Sequence, residues 1–369
     1  MAAGSAAPQF IPVPLKRAEA RHRAAVRIYQ GIPGVAVTGK GRLFAVWYGG
    51  GSGEGPENYV MIALSDDGGR SWSPEEWVAD PPQKDVRAFD PALFAAPDGA
   101  LWCFWTQCRS AALEDIFDGY SGVWGSRCGN PDDPPEEFRW SFPVRICNGI
   151  MLNPPAVLSD GAWALPVSVW HGRKGIEPAE EPGAKMYVSE DSGRSFAYRG
   201  MARIPAETAT YDEHCIYELG EGTLSMLIRK SRGFWESRST DGGRTWSEVT
   251  ESAVPGPGSR GYVCRLASGR LLAVTNDCKD ARRNLTAFLS SDDGRSWPDK
   301  LRLDLRDKTS YPAAVQDKAG AICIVHDHDR YGEGEILFSK ITEADIQGGT
   351  LLTTASFAGV PVSSLPRAR

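Results

Sequence analysis

One short phrase occurs four times in the chain and strongly limits the folds that it can adopt. Its common form is S-x-D-x-G-x-[ST]-[WF], which places polar side chains, a glycine and a large ring within eight positions. The copies are SDDGGRSW at 65–72, SEDSGRSF at 189–196, STDGGRTW at 239–246 and SSDDGRSW at 290–297. Their starts differ by 124, 50 and 51 residues, and a period near 50 is typical of propeller blades.

A second repeat gives the number of blades. Six turns contain a glycine that is followed by an apolar strand, and an apolar run precedes each turn, so each unit is predicted to be a hairpin. The six glycines are Gly41, Gly99, Gly161, Gly222, Gly269 and Gly320. A radial arrangement of sheets protects the strand edges that isolated hairpins would expose.

The sequence therefore predicts an all-β chain that forms a six-bladed β-propeller with Asp-box repeats. The propeller is expected at 25–345, after an N-terminal extension at 1–24. A C-terminal segment at 346–369 is expected to close or flank it. Within each repeated phrase, Asp and Ser can bond to backbone N–H groups, Gly supplies a positive φ, and the ring lies between sheets. The phrase thus indicates the fold and leaves the chemistry open.

Composition excludes several classes of function. A net charge of −6 argues against a nucleic-acid partner, and no apolar run of about 18 residues is present that could span a membrane. The start of the chain lacks the apolar core of a signal peptide, so we expect a cytoplasmic protein, or a secreted or periplasmic one whose signal was removed. The eight cysteines form no CxxC pair and are interpreted mainly as buried thiols.

Mostly polar residues occupy corresponding positions in the six hairpins. They stand about nine residues before each turn glycine, or about seven after it, and both positions fall at the same end of the central channel. The first set is Gly31, Asp90, Asn153, Glu213, Arg260 and Tyr311, and the second includes Tyr48, Arg229, Asp277 and Asp327. This composition favours a ligand site over a merely solvated channel mouth.

Two residues of the first set form a candidate reacting pair. Glu213 and Tyr311 hold the same phase two blades apart. A Tyr hydroxyl has a pKa of about 10, so it needs a base when it attacks, and a carboxylate in contact would supply one. The alternative interpretation is a Tyr–Glu hydrogen bond that only closes the channel.

These residues lie in segments that resemble the sialidase superfamily. The four phrases look like its Asp boxes. The run DEHCIYELGEGTLSMLIRKSRGFWESRSTDGGRTW resembles the segment with the catalytic Glu and one arginine of the carboxylate clamp. RRNLTAFLSSDDGRSWP resembles the segment with another clamp arginine, and TSYPAAVQDKAGAICIVHD the segment with the nucleophilic Tyr. The resemblance covers about residues 25–340.

The resemblance implies a role for each matching residue. Tyr311 would be the nucleophile and Glu213 its base. Arg229 and Arg282, or Arg283 in place of the latter, would bind the substrate carboxylate. Asp90 would line the sugar pocket, and Asp327 would be the acid that holds an arginine. Glu54, or alternatively Glu57, would be the general acid. A neutral Tyr suits an anomeric carbon that carries a carboxylate, since a charged nucleophile would be repelled, and arginine forks bind that carboxylate.

The chain departs from the family at one motif. Sialidases open with Arg-Ile-Pro, whose Arg is the central member of the clamp, whereas this chain reads YQGIPGVAV with Gly31 in that place. Arg27 lies four residues earlier on the same strand, which is too far to replace it. Arg260, at the start of another inner strand, is the expected substitute.

The histidines leave further possibilities open. His214 follows Glu213, while His171, His326 and His328 lie near other strand ends. They are either polar loop residues or additional acid–base groups on the active face. The run HDHD could suggest a metal site, but its spacing does not match a known set of metal ligands. We therefore expect no metal and no cofactor.

We therefore expect an exo-acting glycoside hydrolase, an exo-α-sialidase, that removes sialic acid or a related nonulosonic acid from a glycan or glycoconjugate. One alternative is a glycosidase or lyase for another acidic sugar such as a uronic acid, with His214 or Tyr311 moving the proton. Another is a carbohydrate-binding propeller without catalysis. The sequence leaves linkage and oligomeric state open.

Overall fold

The computed structural model describes residues 10–109, 116–173 and 175–366. Within these ranges the strands form six sheets, each built from consecutive strands. The first contains β1 (Lys16–Arg17), β2 (Gln30–Val37), β3 (Leu43–Gly49), β4 (Tyr59–Ser65) and β5 (Trp77–Ala79), in the order β1-β5-β4-β3-β2. The second contains β6 (Val86–Ala95), β7 (Leu101–Arg109), β8 (Gly122–Cys128) and β9 (Val144–Asn148).

The other four sheets have four strands each, in sequence order. The third contains β10 (Ala156–Val157), β11 (Trp163–Val169), β12 (Gly183–Ser189) and β13 (Ala197–Ala202). The fourth contains β14 (His214–Glu218), β15 (Leu224–Arg229), β16 (Phe234–Ser239) and β17 (Thr250–Glu251). The fifth contains β18 (Tyr262–Arg265), β19 (Leu271–Asn276), β20 (Arg283–Ser290) and β21 (Asp299–Asp307). The sixth contains β22 (Thr309–Gln316), β23 (Ile322–His328), β24 (Glu335–Ile341) and β25 (Phe357–Ser364).

Helices are few. The described chain has one α-helix, α1 (Glu343–Gly348), and short 3₁₀ turns at Ala20–His22, Ala24–Val26, Pro135–Glu137 and Gly220–Gly222. None of its helices is both long and apolar enough to cross a membrane. All eight cysteines lie in the described ranges and are free thiols, six of them buried, which confirms their interpretation as buried thiols.

The six-bladed propeller predicted from the sequence is confirmed. The six predicted turns join the two innermost strands of each sheet, from β2–β3 to β22–β23. All six turn glycines have φ between 71° and 93°, a region that L side chains rarely adopt, so glycine is required there. Strands such as β3 and β23 are buried along their whole length because neighbouring sheets cover both faces, and they therefore read as continuous apolar runs.

The repeated phrases lie in the turns between the third and fourth strands of four blades. In the third copy the Asp241 carboxylate accepts hydrogen bonds from the Arg244 and Thr245 N–H groups at 3.0 and 2.9 Å and from the Thr245 hydroxyl at 2.6 Å. The aromatic ring of the first copy, Trp72, packs edge-on against Phe338 of the neighbouring sixth sheet at 5.2 Å. The phrase thus fixes a turn and anchors one blade against the next, as predicted.

The ring closes between the first and sixth sheets, where β2 contacts β22 and β23. The Ile32 N–H donates to the Asp327 carboxylate at 2.9 Å, and the Gln30 side chain donates to the Gly334 carbonyl at 2.6 Å. Trp47 and Phe338 belong to one buried cluster that spans this seam. Closure therefore rests on side chains, while β25, from the C-terminal segment, forms the outer edge of the sixth sheet.

Inner strands carry a bulge at the end of the channel away from the six turns. Ile32, Asp90 and Tyr311 have φ of 56°, 48° and 52°, each precedes a proline, and the strand register shifts there. In the fourth blade Asp212 takes this conformation, with φ of 46°. The bulge position of the first blade is therefore Ile32 and not Gly31, and in the fourth blade the residue with positive φ precedes Glu213 by one position. Bulges add a residue, which simple counting cannot register.

The Asp-box turn should contribute to stability without touching the site. We expect Asp241→Ala to lower the melting temperature by several degrees, because the Arg244 and Thr245 N–H groups and the Ser239 and Thr245 hydroxyls all lose their acceptor. Thr240→Ala is the matched control, since this neighbour is exposed. Differential scanning calorimetry of both variants decides the matter, and equal melting temperatures would contradict a stabilising role for the box.

Candidate active site

A cavity of about 350 Å³ opens at the channel end that carries the bulges. Its polar lining includes Glu54, Arg87, Asp90, Glu213, Arg229, Arg282, Tyr311 and Arg330, beside aromatic residues Phe89, Phe117, Trp170, Tyr211 and Tyr331. A larger cavity of about 760 Å³ lies at the end with the six turns, but none of the predicted site residues lines it. The chemistry therefore concentrates at the smaller, more polar cavity.

A buried triad of side chains forms the centre of this cavity. The Tyr311 hydroxyl donates to Glu213 Oε1 at 2.9 Å. Arg229 Nη1 donates to the same Oε1 at 2.9 Å and to Tyr311 Oη at 3.0 Å. The structure thus brings together Tyr311, Glu213 and Arg229, which the sequence placed on separate strands.

Burial raises the pKa of Tyr311 to about 12, and the nearby Arg229 opposes this shift. The phenol is therefore neutral at neutral pH and needs a base to lose its proton. Glu213 Oε1 is in hydrogen-bond contact with that proton, and Oε2 has no hydrogen-bond partner among the described residues. The arrangement can carry out base-assisted attack by a neutral phenol.

Two more guanidinium groups of the cavity lining lie against the Tyr311 ring. The Cζ atoms of Arg330 and Arg282 lie 4.3 and 5.2 Å from the ring centroid. Arg282 Nη2 donates to the Gly258 carbonyl at 3.2 Å. Arg283, the alternative, does not line the cavity and begins β20 with an exposed side chain. Arg282 is thus the residue in position to meet a ligand.

The loop between β3 and β4 brings Glu54 to the rim. Its Oε1 accepts from the Tyr331 hydroxyl at 3.2 Å and lies 3.4 Å from the Tyr29 hydroxyl, and the side chain is 39% exposed. Glu57 does not line the cavity and packs instead against Gly51. Of the two candidate general acids, only Glu54 reaches the site.

Asp90 lies on the cavity wall, and burial raises its pKa to about 8 although the nearby Arg87 opposes the shift. It is therefore mostly protonated at neutral pH and can donate a hydrogen bond. The Arg87 guanidinium stacks on the Phe89 ring at 4.0 Å, and its Nε has no hydrogen-bond partner among the described residues. This wall offers a cation and a neutral acid to a polar ligand.

Asp327 stands behind the site rather than in it. Its carboxylate accepts from the Ile32 N–H at 2.9 Å and the Ser310 hydroxyl at 2.7 Å, and it lies 3.0 Å from Arg330 Nη2. An acid that holds an arginine was predicted at this position, and the arginine that it contacts is Arg330.

The structure does not bring Arg260 to the ligand cavity. Its guanidinium donates to four main-chain carbonyls at 2.6–3.0 Å, and the residue is 1% exposed. The acceptors belong to Leu152, Pro33, Tyr311 and Pro312. Arg260 therefore ties inner strands of four blades together from below, and the expectation that it substitutes for the missing clamp arginine does not fit this geometry.

His214 also points away from the cavity. Its Nε2 contacts the Lys185 carbonyl at 3.0 Å and its Nδ1 contacts the Ser168 hydroxyl at 3.1 Å. Burial lowers the pKa of His214 to about 4. It is thus a neutral core residue, and a direct contact with substrate, as predicted, does not fit this placement.

The other histidines likewise lie outside the cavity lining. His171 Nε2 is 3.9 Å from Asp212, His326 Nε2 is 3.2 Å from Asp304, and His328 Nδ1 is 2.9 Å from Glu335. Among the described residues His328, Glu333 and Glu335 come close enough to hold a cation. Arg306 already pairs with Glu335 at 2.8 Å, however, so this group is an ordinary ion-pair network.

Sequence reasoning missed Arg330 and Arg87. Arg330 follows β23 in a turn, outside the phase that identified the other residues. Arg87 lies three residues before Asp90 on β6 and approaches the cavity beside it. A signal for Arg330 was present, since Gly31 leaves room that another side chain must fill.

A protein-family model matches most of the propeller. A sequence profile described as "BNR repeat-like domain" matches residues 41–324. A sialidase from Micromonospora viridifaciens is 24% identical over 309 residues, covering 72% of this chain and 45% of that protein. The chain thus spans less than half the length of this relative.

Solved structures with the same architecture include sialidases. The Hadza microbial sialidase Hz136 superposes with a TM-score of 0.71 at 18% identity, covering 88% of this chain and 67% of that chain. An intramolecular trans-sialidase from Ruminococcus gnavus, solved with oseltamivir carboxylate, gives a TM-score of 0.69 at 14% identity, covering 89% and 97%. These similarities establish a sialidase-like propeller fold.

The raised pKa of Asp90 predicts a pH-dependent stability. Between about pH 4 and 8 the folded protein keeps a proton that the unfolded chain has lost, so the free energy of unfolding falls as pH rises through this window. Asn stays neutral and tolerates the positive φ. Asp90→Asn should therefore raise the free energy of unfolding more at pH 9 than at pH 5, by at least about 1 kcal/mol.

Urea unfolding at the two pH values measures this difference. Asp160→Asn is the control, because this exposed acid lies in a turn of the third blade far from the cavity. A gain for Asp90→Asn that is equal at both pH values would contradict a protonated Asp90.

Proposed function

Because the chain belongs to the family of BNR repeat-like domains, we propose that it is a sialidase-like exo-glycosidase that releases a terminal sialic acid or related nonulosonic acid. One observation carries this proposal. The Tyr311 hydroxyl is hydrogen-bonded to a buried carboxylate, Glu213, and to Arg229 within the same cavity. A carbohydrate-binding propeller has no need of a phenol paired with a base.

The proposed reaction has two steps, and the first forms a covalent intermediate. Tyr311 Oη attacks the anomeric carbon while its proton passes to Glu213. Glu54 donates a proton to the leaving oxygen, so the glycosidic bond breaks and the aglycone departs as an alcohol. Water then attacks the same carbon with Glu54 as base, and Tyr311 leaves and recovers its proton from Glu213. The configuration at the anomeric carbon is retained.

The charges around Tyr311 favour a substrate with a carboxylate on the reacting carbon. Arg229 and Arg282 flank the phenol, and each can offer a fork of N–H donors to a planar anion. A neutral nucleophile approaches an anionic centre without the repulsion that a second carboxylate would bring. This supports a nonulosonic acid over a neutral sugar.

The wall opposite these arginines suits the polar substituents of such a sugar. Asp90 with its raised pKa can donate to a hydroxyl, and Arg87 presents a buried cation beside it. The lyase alternative that used His214 has less support, because His214 is enclosed by Lys185 and Ser168 and kept neutral.

Turnover should depend on the Tyr311 hydroxyl. We expect release of a fluorescent phenol from an aryl α-sialoside or its deaminated analogue, and Tyr311→Phe should lower kcat/KM by at least about a thousandfold. Binding of an unreactive nonulosonic acid analogue should change by less than about fivefold, because the arginines remain. Steady-state kinetics and calorimetric titration measure the two quantities.

Tyr217→Phe is the matched control, since Tyr217 is a buried tyrosine of β14 that faces the opposite cavity. Turnover of uronides alone, or an unsaturated product that absorbs in the ultraviolet, would favour the other acidic-sugar enzymes. Binding of sialosides without any turnover would favour a lectin.

A further inference from the structure

The space beside Gly31 is occupied by another residue. A Cβ atom at position 31 would lie 3.1 Å from Arg330 Cβ, 3.1 Å from Asp327 Oδ2 and 3.3 Å from Arg330 Cδ. Such distances are closer than nine in ten real contacts of a Cβ atom, so even the first atom of a side chain at 31 would have to displace Arg330 or Asp327 by a few tenths of an ångström, and a longer side chain would compete with the stem of Arg330 for one volume. Glycine is needed here for room and not for its conformational freedom.

Arg330 is buried in this volume and bonded to its neighbours. Its Nη2 lies 3.0 Å from Asp327 Oδ2 and donates to the Ser310 hydroxyl at 3.1 Å, and its side chain is only 7% exposed. Its Nη1 lies 3.7 Å from Glu54 Oε1, toward the rim. One edge of the guanidinium is thus anchored to β22 and β23, and the other faces the cavity.

Four guanidinium groups surround the Tyr311 phenol, and all of them except that of Arg260 line the cavity. Arg229 donates to Tyr311 Oη, while Arg282 and Arg330 lie against the faces of its ring. Two buried carboxylates, Glu213 and Asp327, pair with Arg229 and Arg330. Within the described parts of the chain Arg282 forms no ion pair, and Arg260 bonds only to main-chain carbonyls, so positive charge around the phenol exceeds the paired negative charge and favours an anionic ligand.

We propose that Arg330 is the third arginine that binds the substrate carboxylate, supplied by the turn after β23 in place of a side chain at position 31. This inference rests on the proposed function. The clamp arginine that β2 lacks is then supplied from the other side of the seam, by the sixth sheet instead of the first. Arg330 and position 31 then determine specificity jointly, because only one of them can carry a long side chain.

A pair of exchanged residues tests this relocation. The probes are the 2,3-unsaturated nonulosonic acid, which keeps the carboxylate, and its primary carboxamide, which is neutral at the same place. We expect Arg330→Gly to weaken binding of the acid by about 10- to 100-fold and to change binding of the amide much less. Gly31→Arg alone should not improve binding, because Arg330 fills the space.

The double variant Gly31→Arg/Arg330→Gly is the decisive member. Removing the Arg330 side chain makes room for an arginine from β2, so binding of the acid should recover at least about tenfold relative to Arg330→Gly. Arg330→Gln guards against a folding defect, since its amide can still donate to Asp327, and it should lose the preference for acid over amide. Arg199→Gln, which removes an arginine of β13 outside the cavity, is the control.

The outcomes separate the two claims. If the wild type binds the acid and Arg330→Gly and Arg330→Gln bind it equally well, the relocation is wrong while the proposed function stands. If the wild type binds neither probe and cleaves no nonulosonic acid, both are overturned. Loss of acid binding in both variants, with recovery in the double variant, establishes the relocated clamp.

Discussion

The carboxylate of Asp327 joins the two ends of the propeller and supports the site at the same point. It accepts the Ile32 N–H of the first sheet and the Ser310 hydroxyl of the sixth, and it pairs with Arg330. Within the described residues each sheet is built from consecutive strands, so the ring is not closed by a strand exchanged between its ends. Buried polar contacts of this kind have to be fully satisfied to be stable. Asp327 thus takes part in closure of the fold, beside Gln30 and the apolar cluster at the seam, and also places the cavity arginine.

The bulges of the inner strands orient side chains of the propeller toward the cavity. At Tyr311 and Asp90 the backbone adopts a positive φ that costs free energy in residues other than glycine, and the packed sheets on both sides maintain it. The bulge turns the side chain from the strand ladder into the channel. Arg260 donates to the carbonyls of Tyr311 and Pro312, so a buried cation stabilises the backbone that positions Tyr311, the proposed nucleophile.

Much of the molecule could be predicted from sequence because its signals are local. The four boxes and the six turn glycines each depend on hydrogen bonds or φ values within a few residues, and they determine the blades. Tyr311, Glu213 and Arg229 followed from strand ends that meet in any propeller, whereas Arg282 was indicated only by the resemblance of its segment to the sialidase superfamily. Arg330 could not be found in this way, since it lies in a turn and is related to Gly31 only by a shared volume. Arg260 has the right phase and His214 stands next to Glu213, but their side chains bond to main-chain carbonyls and to Ser168 in the core, which strand counting does not register.

The most direct test of the account is to trap the intermediate that it requires. A 2,3-difluoro nonulosonic acid has a good leaving group and an electron-withdrawing fluorine that slows breakdown of the glycosyl-enzyme. Digestion and tandem mass spectrometry should find the sugar on the peptide that contains Tyr311, attached to the phenol oxygen, and no adduct in Tyr311→Phe. A stable adduct on another residue, or turnover of nonulosonides without any adduct and with inversion, would contradict the account.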